Sequence, residues 1–486
     1  MTMQRRERGF MPAFGSLLLG LTLACGVETA HPAEDALDVQ EARVKFAEPD
    51  PGRDIFQGRC PMTANGPTLY VSNTGPWSPS SPLGSSANPY RTIAAAVAAA
   101  VPGNIIEVRG GTYPERVVIS PDTARPGTSM APIVLRGQAS ARPRIVPPTD
   151  RAVGSVLNVS QPYWILQFLE VDAQSKASFG ALFERNTYCS QLVRSALHRG
   201  TAGGGVVLSY ANNVLISQNE IYDFSKSGAD SHGVVIKDSA REVFVLENQI
   251  HETSGDSVQC QTNTGRPSYV YIENNVMHDA GENGVDIKGC DSIFIRNNTM
   301  FNFPNLTLYP WAVNSSAAEA VVLHVDPTNI QIVSNTISQA GRGVSVGSIS
   351  PGTGPVDVLI RANTISDIYN FQNRGNGQGI RIVQGNRIQV LQNRVQRTVD
   401  AGLRLAADAP HVVTGLSVFD NILQDMQLFV RLGDSDDRRL MQMDRNTYQG
   451  PTGKFTATNL VWNVDFPAWR AALASEGLEQ NSVRIP

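Results

Sequence analysis

Residues 284–300 read G-V-D-I-K-G-C-D-S-I-F-I-R-N-N-T-M, and this stretch decides the fold. It holds two short runs with apolar residues at alternate positions, Val285 and Ile287, then Ile293 and Ile295. That alternation is the period-two pattern of strands with one buried face. The second run leads into the triplet Asn298-Thr299-Met300. Asn-x-apolar triplets recur at Asn219, Asn248, Asn274, Asn298, Asn335, Asn363, Asn393, Asn421 and Asn446, spaced 24 to 37 residues apart. A period of this size, repeated so often, implies stacked supersecondary units.

Outward from that stretch, strands that usually open with Gly overlay on G-V-D-I-K. They are G-V-V-L-S (205–209), G-V-V-I-K (233–237), S-V-Q-C-Q (257–261), A-V-V-L-H (320–324), G-V-S-V-G (343–347), G-I-R-I-V (379–383) and G-L-R-L-A (402–406). Positions two and four are apolar throughout. Coils this short leave no room for crossover helices, so the expected fold is all-β, a single-stranded right-handed parallel β-helix. The repeating Asn is expected at one bend, bonding to the next Asn and to turn backbone. R-T-I-A-A-A-V-A-A-A-V (91–101) reads as an N-terminal capping helix. F-P-A-W-R-A-A-L (466–473) opens a short C-terminal helix with Trp469 and Leu473 on one face.

Composition supports a turn-rich β protein: Gly is 42, Pro 29 and charged residues 17% of the 486-residue chain. The net charge of −4 and the lack of a basic run exclude an electrostatic case for nucleic acid. Residues 1–25 read as an export signal: Arg5, Arg6 and Arg8 precede an apolar stretch too short to span a membrane. L-T-L-A-C (21–25) has the form of a lipobox with Cys25 as the lipidated residue. The expected location is exported, as an outer-membrane or cell-surface lipoprotein or as a secreted protein. Residues 26–66 read as a flexible tether, and 67–486 as the β-helix domain, expected to be monomeric. Cys60, Cys189, Cys260 and Cys290 remain after export; their pairing is not legible, and Cys260 reads as a small buried hydrophobe.

In the overlaid strands positions three and five point outward. Position three reads Val207, Val235, Gln259, Asp286, Val322, Ser345, Arg381, Arg404; position five reads Ser209, Lys237, Gln261, Lys288, His324. Only six of the 40 basic residues are Lys, so two in one column is informative. An elongated face with this lining suits an elongated anionic ligand. The interval after Asn298 carries an insertion, P-N-L-T-L-Y-P-W-A-V-N-S-S (304–316), beside Lys288, whose Tyr309 and Trp311 are expected to wall a groove.

Y-V-S-N-T-G, N-P-Y-R-T-I-A-A-A-V, V-P-G-N-I-I-E-V-R-G-G-T-Y-P-E-R-V and A-P-I-V-L-R-G, within residues 70–137, resemble the opening of the pectate-lyase-like β-helix superfamily. The later repeats resemble its coils. G-A-D-S-H-G-V-V-I-K (228–237) with S-G-D-S-V-Q (254–259) is similar to calcium-binding coils of one lyase group, and G-E-N-G-V-D-I-K-G (281–289) to a coil presenting a basic residue. The resemblance implies a polysaccharide lyase cleaving a uronate-containing acidic glycan by β-elimination, with a Lys or Arg as base and Ca²⁺ as a possible cofactor. Carried onto this chain, Lys288, Lys237 and His324 are the expected catalytic residues. Asp230, Asp256, Glu282 and Asp286 are the expected metal ligands, and Gln259, Gln261, Arg342, Arg381, Arg404 and Trp311 the expected substrate contacts. A lysine base must be neutral, which requires a depressed pKa. The alternatives are a noncatalytic carbohydrate- or surface-binding β-helix, and a glycoside hydrolase or C5-epimerase on the same scaffold.

Overall fold

The computed structural model describes residues 51–75, 77–314, 318–347, 354–407 and 412–486. The export signal, Cys25 and the tether up to residue 50 lie outside the described residues. Within the unit Lys45–Pro486, three sheets of 14 strands each run along one axis. Every coil contributes one strand to each sheet in turn, and neighbouring rungs pair in parallel. The exception is the last pair of the third sheet, Lys454–Ala457 with Val461–Val464, which is antiparallel. The fold is the parallel β-helix that the repeat implied.

Between the first and second sheets the chain turns on the Asn ladder. Each buried Asn accepts, through Oδ1, the backbone N–H and the Nδ2–H of the preceding rung's Asn, while its own Nδ2 donates to a strand carbonyl. The ladder runs Asn219, Asn248, Asn275, Asn298, Asn335, Asn363, Asn393, Asn421, Asn446. One position differs from the sequence reading: Asn275 and not Asn274 is the rung. Asn274 occupies the left-handed position (φ 56°), which Gln218, Glu247 and Asn297 fill in adjacent coils. The N-N-V register misleads because two Asn stand side by side, and only the second puts its apolar partner, Met277, inside.

The interior is a continuous stack of Val, Ile and Leu. The Gly that opens many third-sheet strands sits where the chain bends sharply inward. A Cβ at Gly233 would lie 2.2 Å from the Ile250 side chain and 2.5 Å from the Ser257 carbonyl oxygen. The helix Ile93–Ala99, capped by the Thr92 hydroxyl, closes one end of this core with Ile93, Ala96 and Val97. The helix Phe466–Leu473 closes the other, with Trp469 stacked on Phe455 at 5.1 Å.

Residues 51–66 do not behave as a tether. A short helix, Gly52–Gln57, buries Phe56 against Phe244 on the outer face of the first sheet. Arg53 pairs with Glu247 at 2.8 Å, and a Cys60–Cys189 disulfide fastens the segment. Apolar side chains on that face supply the reason, since Phe244, Tyr271 and Phe294 need a cover. Cys260 is not a free thiol; it pairs with Cys290 across adjacent rungs.

Candidate active site on the third sheet

The register places Gln259, Asp286, Val322, Ser345, Arg381 and Arg404 in one outward column, and Lys237, Gln261, Lys288 and His324 in the next. Both columns match the sequence overlay. Asp286 joins the centre of the face: its Oδ2 lies 2.8 Å from Lys288 Nζ and its Oδ1 2.8 Å from His324 Nε2. The Asp286 side chain is 4% exposed, whereas Lys288 and His324 are 32% and 25% exposed. A buried carboxylate thus orients two side chains that reach solvent.

Electrostatics correct the role expected of Lys288. Burial would lower its pKa, but Asp286, Asp256 and Glu282 outweigh burial and hold the ammonium above its usual range. That is the opposite of what a lysine base needs. Lys237 stands two rungs away, beside Asp238, outside this constellation.

One strand-length back, the corner between the second and third sheets gathers the other acids. Asp256 is fully buried. Its Oδ2 accepts from Gln259 Nε2 at 3.0 Å, its Oδ1 accepts from Asn283 Nδ2 at 2.9 Å, and its N–H donates to His232 Nδ1. Burial raises its pKa, but His232, Lys288 and Asn283 outweigh burial and hold it below the ordinary range. The carboxyls of Asp230 and Glu282 have no hydrogen-bond partner among the described residues, though the Glu282 backbone N–H donates to the Gly255 carbonyl. Burial, then repulsion from Asp256 and Asp230, pushes Glu282 up to about 8, and burial also raises Asp230. Gly255 permits the close approach: a Cβ there would meet the Asp230 Cβ at 2.9 Å and His232 Nδ1 at 2.6 Å.

The metal set therefore divides. Among the described residues the carboxyls of Asp230 and Glu282 have no competing hydrogen-bond partner. Asp256 and Asp286 do, the oxygens of the first being taken by Gln259 and Asn283 and those of the second by Lys288 and His324. Among the described residues the one group with ligand atoms already converged is elsewhere, Glu170, Asp172 and His198 on the second sheet. Arg144 and Arg199 both bind Asp172 there; burial works the other way, yet its carboxyl is held at about 2. That cluster is internally neutralised.

Other expected contacts fall unevenly. Gln259 is tied to Asp256, and Arg342 to Glu319 (2.7 Å) and Gln378 (2.8 Å). Gln261 sits between Lys237 and Lys288, half-buried. Trp311 packs edge-on against Tyr309, and Asn305 of the same insertion bonds Asp279 at 2.7 Å. The insertion thus stands on the second-sheet side of the acidic corner, with Tyr309 buried near Glu252, Asp223 and Asp279. Sequence reasoning passed over His232 and Asn283 as site residues, and over Arg431. The signal for Arg431 was present in L-F-V-R-L (428–432), one strand beyond the end of the overlay.

The profile of the family described as right handed beta helix region matches residues 171–305. No curated protein sequence matches the chain. Among solved structures, it is similar to an alginate lyase from Paenibacillus (17% identity, TM-score 0.42, 62% of this chain and 93% of that one). It is also similar to the pectate lyase Pel9A (15%, TM-score 0.33, 83% and 79%). A third is the A-module of a mannuronan C-5 epimerase from Azotobacter vinelandii (13%, TM-score 0.39, 81% and 91%). The right-handed β-helix fold read from the sequence agrees with the matched family profile and with the three parallel sheets.

Proposed function

We propose that this chain is an exported polysaccharide lyase that cleaves a uronate-containing acidic glycan by β-elimination. One observation carries the reading: Asp286 bridges Lys288 and His324 on the outward, solvent-reached face, 2.8 Å from each. With Nε2–H donating to Asp286, the neutral His324 ring keeps its lone pair on Nδ1. His324 takes the proton from C5 of the uronate. The C5–H electron pair forms the C4–C5 double bond, and the C4–O bond breaks. Lys288, held as an ammonium, gives a proton to the leaving oxygen. The buried Asp286 fixes both groups and offsets the charge that His324 gains.

A Ca²⁺ ion would be held by Asp230 and Glu282, and would supply neutralisation of the substrate carboxylate. The export signal at 1–25, with Cys25 as lipid anchor, supports action on a glycan outside the cytoplasm.

The test is ultraviolet absorbance of the unsaturated uronate product across pectate, alginate and glycosaminoglycans, with and without Ca²⁺. Absorbance on one of them, lost in His324→Ala and Lys288→Ala, is the expected result; silence on every acidic glycan removes the lyase reading. The unpartnered carboxyls of Asp230 and Glu282 favour one other reading, hydrolysis, which needs an acid and a carboxylate across one bond. New reducing ends without ultraviolet absorbance identify it.

A further inference from the structure

The third sheet changes character beyond His324. Three rungs past Asp286 its outward column becomes Arg381, then Arg404, then Arg431, in direct register. Adjacent rungs lie about 4.8 Å apart, so three guanidinium groups follow one another at that interval. Like charges facing each other on neighbouring strands disfavour the sheet. Elsewhere on the surface this protein gives an arginine its own aspartate on the adjacent rung, as in Arg387–Asp357, Arg397–Asp367 and Arg445–Asp420. On the third sheet Arg404 and Arg431 both turn to Asp400, at 3.7 and 3.4 Å.

Asp400 is itself anchored. Gln378 Nε2 donates to its Oδ2 at 2.6 Å, Arg342 Nε donates to Gln378 Oε1, and Arg342 Nη1 donates to Glu319. This chain of polar contacts parallels the arginine column, so its heads are set in place before a ligand arrives. The Arg404 and Arg431 side chains are 18% and 26% exposed.

On the other side of Asp286 the same column is Gln259, Val235 and Val207. Among the described residues the arginine column is therefore one-sided. We propose that Arg381, Arg404 and Arg431 form an anion-binding ladder for a glycan carrying an acidic group on successive sugars, an unbroken polyuronate block, which lies along the C-terminal coils beyond the reacting bond. The proposal rests on the polysaccharide reading above and names its substrate class. One rung is comparable to the length of one pyranose in an extended chain, so successive carboxylates meet successive arginines in the paired geometry guanidinium favours. A glycan with acids on alternate sugars meets only every second arginine.

The test measures binding apart from turnover, by calorimetry on polyuronate oligomers of increasing length against a neutral oligosaccharide series. The expected result is affinity that climbs until the oligomer reaches Arg431, and no binding of the neutral series. Arg431→Gln then loses about tenfold on long oligomers, nothing on trimers, and reaches its plateau earlier; Arg404→Gln plateaus earlier still. Added salt reduces the wild-type advantage of long chains. Arg431→Lys, which keeps the charge but not the paired donors, loses less than Arg431→Gln on long oligomers and shows that the fold is intact. Length-independent binding, or equal loss on all lengths, overturns the ladder. Binding with this length dependence but without ultraviolet product leaves the ladder standing and removes the lyase reading. Product formation without length dependence does the reverse.

Discussion

Two of the three bends of each coil are built on opposite plans. At the bend between the first and second sheets, the Asn side chains are closed against one another: Asn298 takes two bonds from Asn275 and gives two to Asn335, and the pattern repeats in coil after coil. At the bend between the second and third sheets, Asp230, Asp256, Glu282 and His232 occur once each, and the Asp230 and Glu282 carboxyls have no hydrogen-bond partner among the described residues. Repetition satisfies polar groups because each rung is the template for the next. A site needs groups left unsatisfied, so it lies where the repetition is broken.

Mutation breaks this contrast most strongly at the ladder. Asn298→Ala leaves the Asn275 donors and the Ile272 carbonyl without partners inside the protein. The expected loss is on the order of 4 kcal/mol, read from urea unfolding midpoints. A loss below about 1 kcal/mol would show that water fills the bend and that the ladder is not what holds the coil.

Next is Asp286→Asn, which keeps the shape but removes the charge facing Lys288 and His324. Turnover is expected to fall about a thousandfold, with a melting temperature close to wild type. Equal loss of stability and activity would make the trio structural.

A third effect comes from the end of the ladder. Asn446 Nδ2 donates to Glu479, which also accepts from Tyr448 OH. Burial pushes the Glu479 carboxyl from an ordinary 4.5 to about 7. A raised carboxyl contributes stability that is present at low pH and lost as pH rises toward the folded value. Between pH 4.5 and 7 unfolding free energy should drop by about 3 kcal/mol from this group. In Glu479→Gln the slope should become shallower by that amount, the share of Glu282 remaining; an unchanged slope would assign it to other residues.

The smallest effect belongs to Glu282→Gln. With no side-chain hydrogen bond to lose, its stability should stay within about 0.5 kcal/mol of wild type near pH 4, where the carboxyl is largely protonated folded and unfolded alike. A drop of several kcal/mol would mean that Glu282 belongs to the scaffold and would erase the difference between the two bends.

Much of the fold was legible because β-helix register is a local property. Alternation in G-V-D-I-K and its relatives set which side chains face outward, and stacking carried that unchanged from coil to coil. The slip at Asn274 and Asn275 shows the limit: two neighbouring Asn satisfy the same pattern, and only the left-handed residue before the rung separates them. The strap at 51–66 was not legible either. Its single large anchor, Phe56, has no period, and the face that it covers is assembled from five coils distant in sequence. At the site, the columns of Lys288, Asp286 and His324 were readable, but the protonation of Lys288 was not.

The sequence by itself determined the solenoid, its Asn bend, the closed ends and the outward columns, because period-two burial and coil spacing are written in consecutive residues. Tertiary structure decided the disulfide pairs, the covered face of the first sheet and the division of labour among the acids. Those depend on distances between side chains far apart in the chain. Asp286 is joined to Lys288 and His324, while Asp256 is held by Gln259 and Asn283, and no spacing along the chain tells the two apart.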